Sequence, residues 1–265
     1  MSLHTQEKLQ QDLQRLGLVE GDTVYIHTSL RAVGKIEGGA VVLIEALRQV
    51  VGKTGTLAVP THTLSFVGLN KAPYDKAATP TVLGAFPEIF RNHPDALRSG
   101  HGSHSSAAMG FQARYLTENH NPTDALGESS PLYKLWQLGG KILLLGVTHT
   151  TNTSIHLAES VAKVPYLVHH YDASWGKDVH VLENGVVDIH TQVEFPGCSN
   201  TFDQIQPLLE QQNKINANTV GNATAYLMNA RDLIATAVSL LKTNPAALLC
   251  DKPNCPACPA RRAAV

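Results

Sequence analysis

The sequence predicts a three-layer α/β/α fold with a central, mostly parallel or mixed sheet and a small antiparallel β-rich insertion. The first observation behind this fold is a strand–helix–strand order, in which β-rich runs at 22–28 and 56–60 flank an apolar helical pattern at 40–51. Two parallel strands need a crossover helix of this kind between them. The second observation is KILLLGV at 141–147, a short apolar run that follows two glycines and is typical of a buried strand.

The third observation is VHVLENGVVDIH at 179–190, where hydrophobic and polar residues alternate around Asn184-Gly185. This pattern is a strong signal for a β-hairpin. We therefore expect one domain over residues 1–265, in which 165–197 forms a small inserted subdomain.

The remaining elements follow in chain order. Residues 5–17 predict an amphipathic helix that Thr5 caps and Gly17 ends. The stretch 61–81 has no clean period, and a loop of this length in a compact domain is more often functional than structural. Further helices are predicted at 81–91, 131–138, 153–163, 202–211 and 230–242, and a further strand at 106–109.

Composition excludes several classes of protein. Apolar residues make up 43% of the 265-residue chain, which is enough for a sizeable core and excludes intrinsic disorder. Lys and Arg number 21 against 22 Asp and Glu, so the net charge of −1 gives no attraction for nucleic acid or an anionic membrane. No apolar run reaches the length of a transmembrane helix, and the polar N-terminus is not a signal peptide. We expect a cytoplasmic protein, and both a monomer and a homodimer remain open.

The four cysteines are Cys198, which stands alone, and Cys250, Cys255 and Cys258 near the C-terminus. The spacing C-x4-C-x2-C would make a metal site if Cys198 or His149 joined the three thiolates. Only one C-x2-C pair is present, however, so incidental thiols in a Pro-rich tail are the favoured interpretation. We expect no metal.

The densest group of chemically active residues is T-x-x-H-x-x-E, formed by Thr153, His156 and Glu159 after the 141–147 strand. Residues three apart share one helix face, so Glu159 can orient His156 and raise its basicity. Ligands of α/β proteins usually bind at the carboxyl ends of strands, which is where this motif lies. A surface pair or a buried structural histidine is the alternative interpretation.

Two further stretches can line a cleft. HTSLRAVGKIEGGA, residues 27–40, leads from a strand into a helix and exposes glycines, but it is neither a P-loop nor a dinucleotide-binding fingerprint. RSGHGSHSSAAMG, residues 98–110, offers histidines and hydroxyls just before a strand but lacks the G-x-S-x-G of a serine hydrolase. By pattern alone, an ordinary turn and a polar loop explain both.

Taken together, these stretches resemble the aminoglycoside 3-N-acetyltransferase family. The resemblance covers nearly the whole chain and rests on segments in the family order. These are residues 21–63, RSGHGSHSSAAMG, ESSPLYKLWQLGGKILLLGV, NTSIHLAE and VGNATAYLMNARDLI. It implies an α/β/α fold and transfer of acetyl from acetyl-CoA to an amine, most often the 3-amino group of a 2-deoxystreptamine antibiotic.

The resemblance also implies roles for individual residues. His156 matches the general base, Glu159 its partner and Thr153 a hydroxyl near the thioester carbonyl. His101 and Asp172 are expected to contact the acceptor, although Gly102 stands where the family usually has proline. The residues expected to bind the coenzyme are Thr28, Ser29, Leu30, Arg31, Val33, Gly34, Lys35, Ser105 and Ser106.

The predicted function is therefore direct acetyl transfer from acetyl-CoA to a small-molecule amine, with His156 as base and without nucleic-acid or membrane partners. The acidic stretch 165–197 would attract a polycationic aminoglycoside, and a solvated hairpin face is the alternative interpretation of the same charges. Three alternatives remain: another, non-antibiotic amine as acceptor, a coenzyme A-binding protein without antibiotic turnover, and a metal-dependent hydrolase that uses the His-rich loops.

Overall fold

A computed structural model describes residues 3–265, and its centre is a seven-stranded sheet. The strands of the chain are β1 (Thr23–Thr28), β2 (Thr56–Pro60), β3 (Tyr74–Asp75), β4 (Leu97–Arg98), β5 (Ser106–Gly110), β6 (Lys141–Leu145), β7 (Asp178–Glu183), β8 (Val186–Thr191), β9 (Ile215–Val220) and β10 (Ala223–Asn229). The main sheet has the order β4-β5-β2-β1-β6-β10-β9. β2, β1 and β6 are parallel and the outer strands are antiparallel, which confirms the predicted mixed sheet.

Helices cover both faces of this sheet and complete the three layers. They are α1 (Gln6–Leu16), α2 (Leu30–Val33), α3 (Gly39–Val51), α4 (Ala85–Arg91), α5 (Ala113–Thr117), α6 (Pro131–Leu138), α7 (Ser154–Ala162), α8 (Ile205–Gln211), α9 (Ala230–Thr243) and α10 (Cys258–Arg262). Strand side chains alternate between two buried clusters, because successive residues of a strand point to opposite faces. In β6, Ile142 and Leu144 pack with α6, α7 and α9, whereas Leu143 and Leu145 pack with α1 and α3.

A second, three-stranded sheet has the order β3-β7-β8. β7 and β8 form the predicted antiparallel hairpin, in which Asn184 and Gly185 both have positive φ. β3 comes from the long loop after β2 and pairs parallel to β7, so the small sheet also uses residues outside 165–197. The division into a domain and an inserted subdomain stays a prediction.

Most predicted helices lie within one or two residues of their expected bounds, but the one expected from Thr81 does not. Thr81 donates from Oγ1 to the carbonyl of His62, and α4 begins only after Gly84, at Ala85. The helix expected at 202–211 opens as a 3-10 turn, Phe202–Gln204, before α8. None of the helices described for residues 3–265 combines the length and apolarity needed to cross a membrane.

The four cysteines converge although they lie far apart in sequence. Cys198, Cys250, Cys255 and Cys258 are all buried and unoxidised, and their Sγ atoms all lie within 4.8 Å of one another. The interpretation of these thiols as incidental is therefore wrong about their placement. The chain after α9 folds back onto the segment before Phe202, a long-range contact that local sequence spacing does not reveal.

Candidate active site

The candidate site lies at the carboxyl ends of the three parallel strands, where the loops after β1, β2 and β6 meet. The loop after β6 approaches α2 closely at Gly146, whose φ is +70°. A Cβ at this position would stand 2.5 Å from the Cβ of Ala32. A side chain there would push α2 away from the strand ends, so the close approach requires glycine.

The centre of the site is a buried hydrogen-bonded chain of His156, Glu159 and Tyr166. The Nδ1 of His156 lies 2.5 Å from the Oε2 of Glu159, as their spacing of three on α7 predicts. The Tyr166 hydroxyl donates to the Oε1 of Glu159 at 2.6 Å. Burial and the Glu159 carboxylate raise the pKa of Tyr166, so this phenol stays protonated and keeps donating.

This hydrogen-bonded chain determines which nitrogen of His156 is available to accept a proton. A carboxylate only accepts hydrogen bonds, so Nδ1 carries the proton and the lone pair is on Nε2. Among residues 3–265, none forms a hydrogen bond with Nε2. The Phe202 ring packs edge-on against the imidazole at 4.8 Å between centroids and limits its rotation. An imidazole held in this way has the orientation that general-base catalysis requires.

A first cavity of about 240 Å³, the strand-end cavity, lies at the carboxyl ends of the parallel strands. It is bounded by the ends of β1 and β2, by α4 and by the loop after β6, and Thr28, His62 and Thr153 all line it. Two polar atoms here are buried without a partner in the described chain, the Oγ1 of Thr28 and the Nε2 of His27. Burial and the neighbouring His149 lower the pKa of His27 to about 3, so its ring is neutral at physiological pH. The cavity therefore offers hydrogen bonds without charge.

A second cavity, also of about 240 Å³ and here called the aromatic cavity, lies on the side of the small sheet. Its walls include Phe66, Tyr171 and Trp175, and Trp175 contacts the other two rings at 5.7 and 5.0 Å between centroids. Two carboxylates, Asp172 and Glu194, also line it. Hydrogen bonds from the Ser174 hydroxyl and N–H lower the pKa of Asp172, whereas burial raises that of Glu194.

Two histidines connect the cavities. His62 lines the strand-end cavity, His104 lines the aromatic cavity, and their ring centroids are 4.6 Å apart. Burial is the main cause that lowers the pKa of both, to about 3 for His104, and charge repulsion from His156 contributes in each case. His62 and His104 are therefore the contact between the two cavity walls, and His156 itself lines neither cavity.

The structure brings together only some of the predicted coenzyme residues. Thr28 and Thr153 share the strand-end cavity. Ser29 caps α2, Leu30 packs against the core, and Arg31 and Lys35 are exposed on the same loop. Val33 is fully buried, so only its backbone is available, and the Val33 carbonyl already accepts from the Asn222 N–H. Gly34 packs tightly against the Asn222 side chain.

Three other predicted residues line neither cavity. Ser105 donates to the Thr61 carbonyl at 2.7 Å, and Ser106 pairs with the Tyr25 hydroxyl at 2.8 Å. His101 is fully buried, and its Nδ1 accepts from the N–H groups of Ser103 and His104. These side chains hold the loop before β5 in shape, so their positions do not support direct contact with a ligand.

Four residues of the site were not predicted from the sequence: His62, Tyr166, Trp175 and Phe202. His27, His104 and Glu194 lie in the stretches 27–40, 98–110 and 165–197, which were expected to line a cleft or attract the acceptor. His62 carries a readable signal, because T-H-T directly follows the strand predicted at 56–60. Tyr166 and Phe202 carry none, since their contacts with Glu159 and His156 depend on tertiary packing.

Comparison with known proteins agrees with this fold. The model of the aminoglycoside 3-N-acetyltransferase family matches residues 25–242. Aminoglycoside N(3)-acetyltransferase IV from Salmonella sp is 34% identical over 235 residues, which cover 88% of this chain and 85% of the relative.

Solved structures give the same result. A crystal structure of a histidine-to-alanine mutant of aminoglycoside acetyltransferase AAC(3)-IVa in complex with a gentamicin has a TM-score of 0.85 at 31% identity. It covers 100% of this chain and 99% of that one. AAC-IIIb in a binary complex with CoASH has a TM-score of 0.79 at 26% identity, covering 91% and 97% of the two chains.

The fold is that of an acyltransferase, the class to which the matched relatives belong. Within that class, the chain belongs to the aminoglycoside 3-N-acetyltransferase family.

Proposed function

We propose that this protein transfers acetyl from acetyl-CoA directly to the 3-amino group of a 2-deoxystreptamine aminoglycoside, with His156 as general base. The observation that carries the proposal is the hydrogen-bonded chain of His156, Glu159 and Tyr166, which leaves Nε2 of His156 without a partner among residues 3–265. Relatives named aminoglycoside N(3)-acetyltransferases and a similar structure with CoASH support the two substrates.

His156 performs the proton transfer. An amine attacks a thioester only as the free base, and Nε2 accepts the proton that the nitrogen loses as its bond to the acetyl carbon forms. The Glu159 carboxylate stabilises the resulting imidazolium, and Tyr166 holds that carboxylate in place. The carbon–sulfur bond then breaks, and the coenzyme A sulfur leaves as a thiolate that takes up the proton. The Thr153 hydroxyl is the proposed donor to the developing oxyanion.

The strand-end cavity is the proposed site of the acetyl donor, which supplies an activated acyl carbon. The unpartnered Thr28 Oγ1 and His27 Nε2 fit a ligand whose arm carries amides, because each can make a hydrogen bond that it lacks in the free protein. Arg31 and Lys35, exposed on the same loop, supply positive charge for the phosphates.

The aromatic cavity is the proposed site of the acceptor. An aminoglycoside is a polycation whose saturated rings present C–H faces, so carboxylates and aromatic faces both favour it. Asp172 and Glu194 supply the charge, and Tyr171 and Trp175 supply the faces. Asp172 is oriented by two hydrogen bonds from Ser174, at 2.9 and 2.7 Å, and so has a defined direction.

The test is to incubate the protein with acetyl-CoA and a panel of aminoglycosides, including gentamicin and apramycin, and to identify products by mass spectrometry. We expect one added acetyl group, located on the 3-amino nitrogen by NMR. Product mass is a better readout than a thiol reagent, because the chain itself carries four cysteines. If acetyl-CoA raises the melting temperature but no aminoglycoside is acetylated, the acceptor is a different amine.

The base and the direct route are tested separately. His156→Ala should lower kcat by about 10²–10⁴ while the thermal shift with acetyl-CoA is retained. Acetyl-CoA alone should leave the mass of the intact protein unchanged, since direct transfer has no acyl-enzyme. Near-normal turnover of the variant, or an acetylated protein on the route to product, would contradict this mechanism.

A further inference from the structure

The four-cysteine cluster (Cys198, Cys250, Cys255 and Cys258) lies outside both cavities, and the proposed reaction does not use it. Its Sγ atoms lie within 4.8 Å of one another, and those of Cys198 and Cys250 are 3.6 Å apart. A disulfide needs about 2.05 Å, so these are thiols in contact and not a bonded pair. In a tetrahedral zinc site with Zn–S bonds of about 2.3 Å, the sulfurs are about 3.8 Å apart.

We propose that these four cysteines bind one structural zinc ion as a tetrathiolate. Zinc replaces the four thiol protons and leaves a complex of net charge −2. Four cysteines with no position left for water form a closed site, which is structural and not catalytic.

Hydrogen bonds around the sulfurs support thiolates in place of thiols. The Cys258 N–H donates to the Sγ of Cys255 at 3.5 Å, the pattern expected of a C-x2-C turn around a metal. The Cys250 N–H donates to the Sγ of Cys258 at 3.3 Å, and the Asn200 side-chain amide donates to that of Cys198 at 3.1 Å. Such donors around the ligands stabilise negative charge on sulfur and orient the ligands.

A buried cation next to the cluster also indicates negative charge there. Arg261 is 1% exposed and lies three residues after Cys258 on α10. Its guanidinium donates to the carbonyls of His169 and Phe195, and no carboxylate of the described residues pairs with it. Burying an arginine without a counter-charge is costly, and a dianionic zinc centre on the same helix supplies one.

The position of the cluster indicates what the metal would stabilise. Between α9 and α10 the chain has only turns, yet Leu248, Leu249 and Ala257 are fully or almost fully buried. The Leu248 carbonyl of this segment accepts a hydrogen bond from the hydroxyl of Thr201, which is the residue directly before Phe202. Zinc would therefore hold the C-terminal tail against the segment that places Phe202 on the His156 ring.

The primary test measures metal in the intact protein. Purified without chelators, the chain should contain about one zinc ion, measured by inductively coupled plasma mass spectrometry. Its thiols should react with a thiol reagent only after a chelator or a mercurial releases the metal. Replacement by Co²⁺ should produce intense tetrahedral d–d bands and sulfur-to-cobalt charge transfer.

Variants test the ligands one at a time. Cys255 is the most exposed of the four, and Cys255→Ser should lower zinc affinity by at least about tenfold. Cys255→His should restore binding, because imidazole is also a zinc ligand. Asp251→Asn is the matched control in the same tail, since its side chain is exposed and pairs only with Arg262.

Three results would overturn the proposal. One is a reduced protein that binds neither zinc nor Co²⁺ and whose four thiols all react freely. Another is a native disulfide, seen as a loss of hydrogen mass in the intact protein. The third is iron bound in place of zinc, which would contradict the identity of the metal.

Discussion

Because Tyr166 donates to Glu159, we expect Glu159→Gln to hold His156 in the wrong tautomer. An amide has only one oxygen, and the buried Tyr166 hydroxyl donates to it, as it now does to Oε1. The amide NH₂ then faces Nδ1 of His156 and forces the proton to Nε2. The histidine is left in the tautomer that cannot accept a proton from the amine.

The size of the effect follows from two contributions. The first is the attraction between the Glu159 carboxylate and the positive charge that develops on His156. Two full charges about 4 Å apart interact by about 4 kcal/mol at an effective dielectric of about 20. If the proton is half transferred in the transition state, Glu159→Gln loses about half of this attraction. Returning to the active tautomer leaves the Tyr166 donor unpaired, which costs about 1–3 kcal/mol. A sum of about 4 kcal/mol corresponds to a kcat about 10³-fold lower.

The double variant Glu159→Gln/Tyr166→Phe separates the two contributions. Without the hydroxyl, the amide oxygen is free to turn toward Nδ1, so the correct tautomer returns and only the charge is missing. We expect the double variant to be about tenfold to a hundredfold faster than Glu159→Gln. Tyr166→Phe alone is the control, and it should lose less than about tenfold because the carboxylate remains.

The assay is kcat for acetyl transfer under saturating substrates, followed by product mass, with KM for both substrates measured in parallel. The KM values should change little, because Glu159 lines neither cavity. A double variant no faster than the single one would refute the tautomer argument. A Glu159→Gln variant within twofold of the unmodified enzyme would refute the role of the carboxylate.

Three other predictions concern the acceptor, stability and the donor loop. Asp172→Asn should raise KM for the aminoglycoside about fivefold and leave kcat nearly unchanged, because a solvent-screened ion pair contributes modestly to binding and not to the chemical step; a change confined to kcat would contradict it. The free energy of unfolding should be greatest above pH 6.5 and fall toward pH 5 by about 2 kcal/mol for each buried neutral histidine, because below that pH the unfolded chain binds protons that the folded chain does not. The histidines with pKa values lowered mainly by burial to about 3, 3, 3 and 4 are His27, His104, His120 and His149. Urea unfolding at both pH values measures this, and equal stabilities would refute it. Gly146→Ala should raise KM for acetyl-CoA by displacing α2, and an unchanged KM with normal stability would show that the close approach is dispensable.

Elements with strong local signals could be predicted from the sequence. The strand Thr56–Pro60 and the helix Pro131–Leu138 match their predicted bounds, because the glycine before the strand and the Ser-Pro cap of the helix act locally. The hairpin Ile215–Val220 and Ala223–Asn229 was not predicted. Its first strand is largely exposed and carries Asn at alternate positions, so it lacks the alternation of apolar and polar residues that marks a strand.

The candidate site was predictable in part for the same reason. His156 and Glu159 are three residues apart on one helix, so their contact is local and readable. Tyr166 reaches Glu159 around the end of α7, and Phe202 reaches His156 from 46 positions away in the sequence. Cys198 and the cysteines of the C-terminal tail are separated by more than 50 positions, so no periodic pattern in the sequence could show that they are in contact.

The two cavities are built from different parts of the chain. Strand ends of the main sheet and α4 line one, whereas the other draws on residues 64–66, 103–104, 125, 170–176 and 192–197. Under the proposed function, mutation in 170–197 changes the range of drugs accepted without altering the residues that hold the acyl donor. Selection by a new antibiotic can therefore change the residues of the aromatic cavity alone, while the main sheet and the strand-end cavity stay the same.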